Sequence, residues 1–594
     1  MKRFLAMLLV LLFVLTALVA CGDPEAAPEG SEPETEDDAN DEVDPTDTED
    51  DTEEPEEPEE TEETEETEES KTDKEESEKD PEATEEKPTT KPTSKPTKPA
   101  ATTAPGGTTT DTDEYGQNEL VSALPLDEID FEGMEVSMLV RDVESYYREF
   151  TRKDGYVDQN DLDEAISTRN DEINTTLNIV VKFDYHGGTN YSDVDEKFLS
   201  LVRNDAGMEG HMYDIVANYA HVGAQGKYRD YWANLNDRDV FPYFNFTMPC
   251  WNQSIVETSM VNDKLFFISG DLNLTVFDRS FIIWVNKEMY DELKTEEDPE
   301  DIQDWALEGY WTYADLYNWT SRPAQDTNGT GGIQCNDTFM LESYFGSVPL
   351  DALPYSWDID LVKTTNDGFV EYNILDNDKL EEGIEMTNIL FNNTGVNRAD
   401  KLSCTCQGNC NRVVHHFISG TSLFACYLLA DSERDLLAIR EMEHKFGILP
   451  MPKYDEEQEN YGTSSQDAYN LMTVINHNEF TNGDVVSAYL QLANELSYND
   501  VRSYYIERII KGKTFGTWDD GTVEKSIKIF DEEIADHIEF GFITIYAPQL
   551  GNIMNTCWRN AVTDSMTAKQ KFEGITTAKD DLNKLKAFLF DEIM

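Results

Sequence analysis

Residues 134–219 alternate between short apolar runs and segments with helical spacing, and this alternation limits the possible folds more than any other feature. The runs "MEVSMLV" (134–140), "LNIVVKFDY" (177–185) and "YDIVANY" (213–219) are typical of buried strands. The stretches between them, "DLDEAISTRNDEINTTL" and "VDEKFLSLVRND", carry apolar residues at helical spacing. Strand, helix, strand, helix, strand predicts a parallel sheet of βαβ units and therefore an α/β fold.

The rest of the body continues this mixture of strands and helices. The run "NDKLFFISGDLNL" (262–274) is a strand that ends at Gly270 and Asp271, and "RSFIIWVNKEMYDELK" is a strand that leads into a helix. Thr312 in "EGYWTYADLYNW" is placed to cap a helix, with Asp315 three residues later. The strand in "HKFGILPMPKYDEEQENYGTS" is broken by two prolines, which suits a crossover between domains.

The order of "YDIVANY", "NDKLFFISGD", "FIIWVNKEMYDELK", "EGYWTYADLYNW" and "FGILPMPKYDEEQENY" resembles the extracellular solute-binding proteins of ABC transporters, family 1, which are largely sugar-binding bacterial lipoproteins. The resemblance covers most of residues 128–594. It implies a two-lobed α/β fold like that of the periplasmic binding proteins, with a hinge and a central ligand cleft. We expect this domain to span 116–594, with the chain crossing between lobes near 280–288 and 446–453.

The resemblance also implies a function. Such a protein captures a carbohydrate, a monosaccharide or oligosaccharide, or a related solute, and delivers it to an ABC permease. The permease and its ATPase would be separate chains, because this sequence has no complete P-loop. No cofactor is expected.

The first 21 residues predict export and anchoring. Lys2 and Arg3 precede an unbroken apolar run from Phe4 to Ala20, which is typical of a secretory signal peptide (1–20). The tetrapeptide Leu-Val-Ala-Cys that ends at Cys21 resembles the lipobox of bacterial lipoproteins, in which the cysteine is acylated. The alternative is an uncleaved membrane anchor with an incidental cysteine. Either reading places the body at the extracellular face of the cell membrane, and the lipobox predicts a lipid anchor on Cys21.

Residues 21–115 are predicted to be a disordered tether. Between residues 22 and 115 there are 38 acidic and 7 basic residues, and apolar side chains are scarce, so the segment contributes roughly −31 of the net charge of −76. Too little burial is available to offset the loss of chain entropy. An acidic run of this kind could also bind metal or cell wall, but a solvated tether is the simpler reading.

The composition of the body excludes some partners and gives little sign of metal chemistry. Its acidic excess argues against nucleic acid, and no second apolar run is long enough to span a membrane. The cluster Cys404, Cys406 and Cys410, near His415 and His416, matches no usual zinc spacing, so a disulfide, free thiols or a metal all remain open. The loop "DTNGTGG" has Thr330 where the family's calcium-like loops carry an acid, and we predict no metal site.

No catalytic signature is present, since the sequence has no GxSxG, HExxH or GxGxxG motif. We therefore predict a binding protein and not an enzyme. Two alternatives stay open: a secreted enzyme acting on polysaccharide, and a surface adhesion or sensory module that kept the fold but lost transport.

Ligands of open α/β sheets bind beyond the carboxyl ends of the strands, and sugar sites combine aromatic faces with carboxylate or amide groups. The predicted ligand-binding residues meet these two conditions: Tyr146, Tyr147, Tyr219, Trp251 and Asp271. Each alone could equally be a packing residue, and Asp271 could cap the next turn. Trp284 and Trp311 are predicted to pack in the core.

Overall fold

The structure, a computed structural model, describes residues 109–112, 118–142, 149–151, 161–187, 191–206, 211–220, 231–261, 263–343, 349–359, 362–364, 370–372, 378–398, 414–430, 439, 441–477, 482–510 and 521–541. All of them belong to the unit that spans residues 94–594, and residues 1–93 form the other unit. The predicted signal peptide, Cys21 and all of the predicted tether except residues 109–112 lie outside the described residues.

The described chain mixes strands and helices along its length. The strands are β1 (Thr109–Thr112), β2 (Asn118–Leu120), β3 (Met134–Arg141), β4 (Ile179–His186), β5 (Ile215–Tyr219), β6 (Met260–Val261), β7 (Lys264–Leu265), β8 (Phe281–Asn286), β9 (Phe339–Ser343), β10 (Val362–Thr364), β11 (Val370–Tyr372), β12 (Val396–Arg398), β13 (Ser422–Leu428), β14 (Phe446–Leu449), β15 (Thr463–Ser464), β16 (Asn470–Val474) and β17 (Ile538–Glu539). The α-helices are α1 (Asp161–Leu177), α2 (Tyr191–Ala206), α3 (Gln253–Ser259), α4 (Leu274–Asp278), α5 (Lys287–Leu293), α6 (Ile302–Leu307), α7 (Tyr313–Thr320), α8 (Pro349–Ser356), α9 (Asp378–Phe391), α10 (His415–Ile418), α11 (Gly483–Leu496), α12 (Arg502–Ile510) and α13 (Thr522–Ile529).

The first lobe is built on a four-stranded sheet with the order β16-β5-β3-β4. Strands β3, β4 and β5 are parallel, and α1 and α2 connect them along the chain. This is the predicted βαβ unit, and the prediction is confirmed. The later strand β16 joins the sheet antiparallel to β5, with Asn470 opposite Tyr219.

The second lobe is built on a five-stranded sheet with the order β12-β9-β13-β8-β14. Strands β12, β9 and β13 are parallel, whereas β8 runs antiparallel to both β13 and β14. Because Phe281 at the start of β8 pairs with Leu428 at the end of β13, the carboxyl ends of the parallel strands lie at the edge where β8 begins.

Within the described ranges, the chain passes between the two sheets three times. It leaves the first lobe through α4 and Ser280, and it returns between β14 and β16, where Ser465 bridges to Ser280. The third pass is the stretch from α11 to α12. The crossings that the sequence predicts near 280–288 and 446–453 stay a prediction; these two stretches contain β8 and β14 of the larger sheet.

Aromatic side chains fill the core of the second lobe. Trp284 and Trp311 are both fully buried, which confirms their predicted packing role, and the Trp311 indole N–H donates to the Pro450 carbonyl at 3.0 Å. Among the described residues, no helix is both long and apolar enough to cross a membrane.

Candidate functional site

The strand directions place a candidate site between the two sheets. In the first lobe the carboxyl ends of β3 and β5 lie at the level of Asn470, where the chain returns from the second lobe. In the second lobe the carboxyl ends of β9, β12 and β13 lie beside the start of β8, where the chain arrives. Both sets of carboxyl ends therefore face the connecting segments, and ligands of α/β sheets bind at such edges.

On the first lobe, Arg141 and Tyr219 close the ends of two neighbouring strands. The guanidinium carbon of Arg141 lies 3.5 Å from the centroid of the Tyr219 ring, and Arg141 Nη2 donates to the Ala468 carbonyl at 2.5 Å. The predicted ligand residue Tyr219 is thus at the expected edge, but its ring is only 3% exposed and is covered by the arginine. Ala468 belongs to the returning segment, so Arg141 joins the strand edge to that connection.

Glu149 holds the two connections together. Its carboxylate accepts from the Thr275 amide at 2.7 Å and the Thr275 hydroxyl at 3.2 Å, and it also accepts from the Asn470 amide nitrogen. Thr275 lies in the outgoing connection and Asn470 begins β16. Burial raises the pKa of Glu149, and these hydrogen bonds and the charge of Arg141 oppose that rise.

Two buried polar atoms at these edges lack hydrogen-bond partners. Asn470 Oδ1 belongs to the first lobe, and Ser343 Oγ lies at the carboxyl end of β9 in the second; neither atom has a partner within the part of the chain that the structure describes. A buried polar atom without a partner costs about 1–3 kcal/mol. One such atom on each lobe is consistent with a ligand that carries hydroxyl groups.

Trp251, the second predicted ligand residue in the described chain, lies in an aromatic cluster. Its ring is 1% exposed and packs edge-on against Phe244 and Phe246, with centroid separations of 5.8 and 5.4 Å. Its indole N–H donates to Gln491 Oε1 at 3.1 Å. Its predicted contact with ligand stays a prediction.

Asp271 lies in a buried ion cluster. Its carboxylate is 3.4 Å from Arg502 Nη1, and the same guanidinium reaches Asp531 at 3.1 Å and Asp536 at 3.2 Å. Burial raises the pKa of Asp271 to about 7, although the charge of Arg502 lowers it. The structure therefore supplies a structural partner for this carboxylate, and its role toward a ligand stays a prediction.

The remaining predicted residues lie outside the described chain or in a self-contained loop. Tyr146, Tyr147 and the cluster Cys404, Cys406 and Cys410 are not described. In the loop "DTNGTGG", Asp326 accepts from the backbone amides of Gly329 at 2.7 Å, Thr330 at 3.1 Å and Gly331 at 2.7 Å. Within the described ranges, no three His, Cys, Asp or Glu side chains come together as metal ligands do.

Sequence reasoning missed Glu149, Asn470 and Ser343. The run "YNLMTVI" that contains Asn470 has strand character, and recognising it as the antiparallel partner of β5 would have placed Asn470 at the site edge. Ser343 ends a run, "FMLES", that has the same signal. Glu149 carries no local signal, since its partners are 126 and 321 residues away.

A scan against protein-family models and a search of curated proteins found no match for this chain. Among solved structures, the chain is similar to the sugar-binding protein MalE from Xanthomonas citri, with 10% identity and a TM-score of 0.50 over 77% of this chain and 99% of that one. It is also similar to the cyclic alpha-maltosyl-1,6-maltose binding protein from Arthrobacter globiformis (13% identity, TM-score 0.45, 77% and 100% covered). A family 1 extracellular solute-binding protein from Bifidobacterium longum subsp. infantis is a third (9% identity, TM-score 0.44, 75% and 98% covered).

At these identities the similarity concerns the fold. The chain has the two-lobed α/β fold of the periplasmic-binding-protein type found in the family 1 extracellular solute-binding proteins, and the resemblance inferred from the sequence is confirmed at that level.

Proposed function

We propose that the chain is an extracellular receptor that captures a carbohydrate between its lobes and delivers it to an ABC permease, held at the membrane by a lipid on Cys21. The observation that carries the proposal is the placement of the strand carboxyl ends of both lobes against the same connecting segments. The fold shared with a protein described as sugar-binding adds support, as do the signal-like start and the lipobox-like tetrapeptide.

The polar atoms at the two edges suit a polyhydroxylated ligand. Asn470 Oδ1 is free to accept a hydrogen bond from a ligand, and Ser343 Oγ can donate or accept one, since neither atom has a partner in the described chain. A sugar hydroxyl at each position satisfies both buried atoms. A ligand that touches both lobes binds better when the lobes are close, so it shifts the population toward a closed form that a permease can distinguish from the empty one.

The first test is thermal unfolding of the purified chain against a panel of neutral monosaccharides and oligosaccharides, uronates and other small solutes. A ligand that binds only the folded state raises the free energy of unfolding by about 2.7 kcal/mol at a hundredfold excess over Kd. A shift with one sugar class, and recovery of that sugar unchanged after incubation, is the expected result. Turnover of the sugar would favour the enzyme alternative, and no shift across the panel would contradict the sugar assignment.

A pair of serine variants tests the site. Ser343 and Ser422 lie at opposite ends of the paired strands β9 and β13, and Ser422 Oγ donates to the Phe424 carbonyl at 2.8 Å. We expect Ser343→Ala to leave stability nearly unchanged, because its hydroxyl has no partner in the described chain, and to weaken binding of the panel ligand about 3- to 10-fold. Ser422→Ala should lower stability by about 1 kcal/mol and leave affinity unchanged. Equal affinities for the two variants would remove Ser343 from the site.

A further inference from the structure

The third connection between the lobes is not a regular helix. Residues Ser497–Val501 form a π-helix between α11 and α12. Helix α11 packs beside β3 of the first lobe, whereas α12 contacts both α1 of the first lobe and α13, which lies beside β14 of the second. A π-turn contains one residue more than the α-helical turn, and such turns are rare and often mark functional positions.

A segment near the start of the described chain lies across this π-helix. Residues 118–124, here called the strap, follow directly from the segment that the sequence predicts to be a tether. The Leu120 amide donates to Asn499 Oδ1 at 2.8 Å, and Asn499 Nδ2 donates back to the Leu120 carbonyl at 3.0 Å. The Asn499 side chain thus satisfies both backbone groups of one strap residue, as a neighbouring strand would.

A second contact binds the strap at Glu495, one helical turn before Asn499. The Ala123 amide donates to Glu495 Oε1 at 3.0 Å, and Gln491 Nε2 donates to the same oxygen at 2.8 Å. Glu495 is 1% exposed, and burial raises the pKa of its carboxyl. The strap therefore contacts both the last turn of α11 and the π-helix that follows it.

The direction of α12 depends on the π-helix. One residue corresponds to about 100° of helix rotation, because an α-helix has 3.6 residues per turn. If Ser497–Val501 became regular α-helix, Asn499 would turn away from the strap and the two lobes would be joined at a different angle. Other groups also hold this stretch, since Arg169 Nη1 donates to Ser497 Oγ at 3.0 Å.

We propose that the strap is a brace that keeps the third connection in its π-helical form, so that release of the strap and rearrangement of the connection occur together. This brace would link the tethered end of the chain to the relative position of the two lobes. It rests on the two-lobed fold and does not depend on which ligand is bound.

The test is hydrogen–deuterium exchange of the purified full chain without ligand. Asn499→Ala removes the contact from the helix side. Ala123→Pro removes it from the strap side, because proline has no amide hydrogen and Ala123 is exposed. Asn236→Ala is the matched control, since Asn236 Nδ2 also donates to a backbone carbonyl, that of Asp263, at 2.9 Å, away from the strap and the π-helix.

We expect both Asn499→Ala and Ala123→Pro to speed exchange about tenfold in peptides covering 118–124 and 497–502 alike, with β8 and the Asn236→Ala protein unchanged. Faster exchange confined in each variant to its own segment would overturn the proposal, because the two segments would then be packed together but not coupled. If Asn499→Ala speeds exchange throughout the chain, the Ala123→Pro protein alone tests whether exchange becomes faster in both segments or only in 118–124.

Discussion

Glu342 is a buried carboxyl group with no cation beside it in the described chain. Its two oxygens accept from the His416 amide at 3.2 Å and the Phe417 amide at 2.9 Å, at the start of α10. Burial raises the pKa of Glu342 to about 8, and the two amides only partly offset this effect. Near neutral pH the folded protein therefore holds a proton that the unfolded chain has released.

This proton predicts a pH dependence. Between about pH 4.5 and pH 8 the folded state binds more protons at this site than the unfolded state, so the free energy of unfolding falls as pH rises through that range. We expect Glu342→Gln to remove this pH dependence. The difference in free energy of unfolding between the parent protein and the variant should then change by on the order of 2–4 kcal/mol from pH 5 to pH 8. Urea unfolding at both pH values measures it.

The control for this experiment is Glu385→Gln, which neutralises an exposed carboxylate in the same lobe. The many other acidic groups of the chain contribute equally to the pH dependence of the parent protein and of the variant. The effect of Glu342 is therefore the difference between their free energies of unfolding. A difference that stays constant from pH 5 to pH 8 would show that Glu342 is ionised in the folded protein.

Two predicted ligand residues show why side-chain surroundings cannot be derived from local sequence. Trp251 follows a proline-flanked loop, yet its indole partner Gln491 is 240 residues away. Asp271 ends an apolar strand pattern, but the guanidinium that faces it, that of Arg502, is 231 residues away. The sequence located both at element ends and could not show what covers them.

At the scale of secondary-structure elements, local signals were more informative. Thr312 and Asp315 form the predicted capping box at the start of α7: the Thr312 amide and hydroxyl donate to Asp315 Oδ2 at 2.8 and 2.9 Å. The strands predicted within the runs 134–140, 177–185 and 213–219 are confirmed as β3, β4 and β5, because apolar runs between turns identify buried strands. The π-helix Ser497–Val501 has no comparable local signal, since the groups that hold it, such as the Arg169 guanidinium, come from distant parts of the chain.

The Arg502 side chain joins three segments of the chain, so replacing it should lower the free energy of unfolding. Arg502 is the first residue of α12 and contacts Asp271, which follows α3, and Asp531 and Asp536, which follow α13. Arg502→Ala would remove the guanidinium that pairs with the buried carboxylates of Asp271 and Asp531, so we expect the free energy of unfolding to fall by about 3–5 kcal/mol. Chemical denaturation at pH 7.5 measures this loss.

The same cluster provides its own control. In the Arg502→Ala background, Asp271→Asn removes a buried charge that has lost its guanidinium partner and should restore part of the lost stability, whereas Glu385→Gln, at an exposed site, should restore none. If Arg502→Ala cost less than about 1 kcal/mol, the ion pairs would contribute little to holding α12 in place.

At the scale of the whole molecule, the two-lobed architecture was predictable and the site was not. The βαβ pattern predicted an α/β fold from periodicity, and the two lobes were what the resemblance of the ordered runs to family 1 solute-binding proteins implied. The candidate site instead depends on Asn470, Ser343 and Glu149, which meet only after strands from both halves of the chain have paired. The pairing register between strands that lie hundreds of residues apart cannot be predicted from the local sequence of either strand.

At the same scale, we predict that the molecule is anchored to the membrane through one residue, Cys21. A single acyl chain binds a membrane only weakly, and two or more anchor it stably, so a lipidated Cys21 should keep the chain in the membrane fraction of expressing cells. We expect Cys21→Ser to move the protein into the medium, and the parent protein to carry a mass increase consistent with attached acyl chains. Cys335→Ala, at a buried cysteine of the second lobe, is the matched control and should stay with the membrane. If Cys21→Ser stays in the membrane fraction and the parent protein carries no added acyl mass, the result would instead favour an uncleaved apolar segment, residues 4–20, as the anchor.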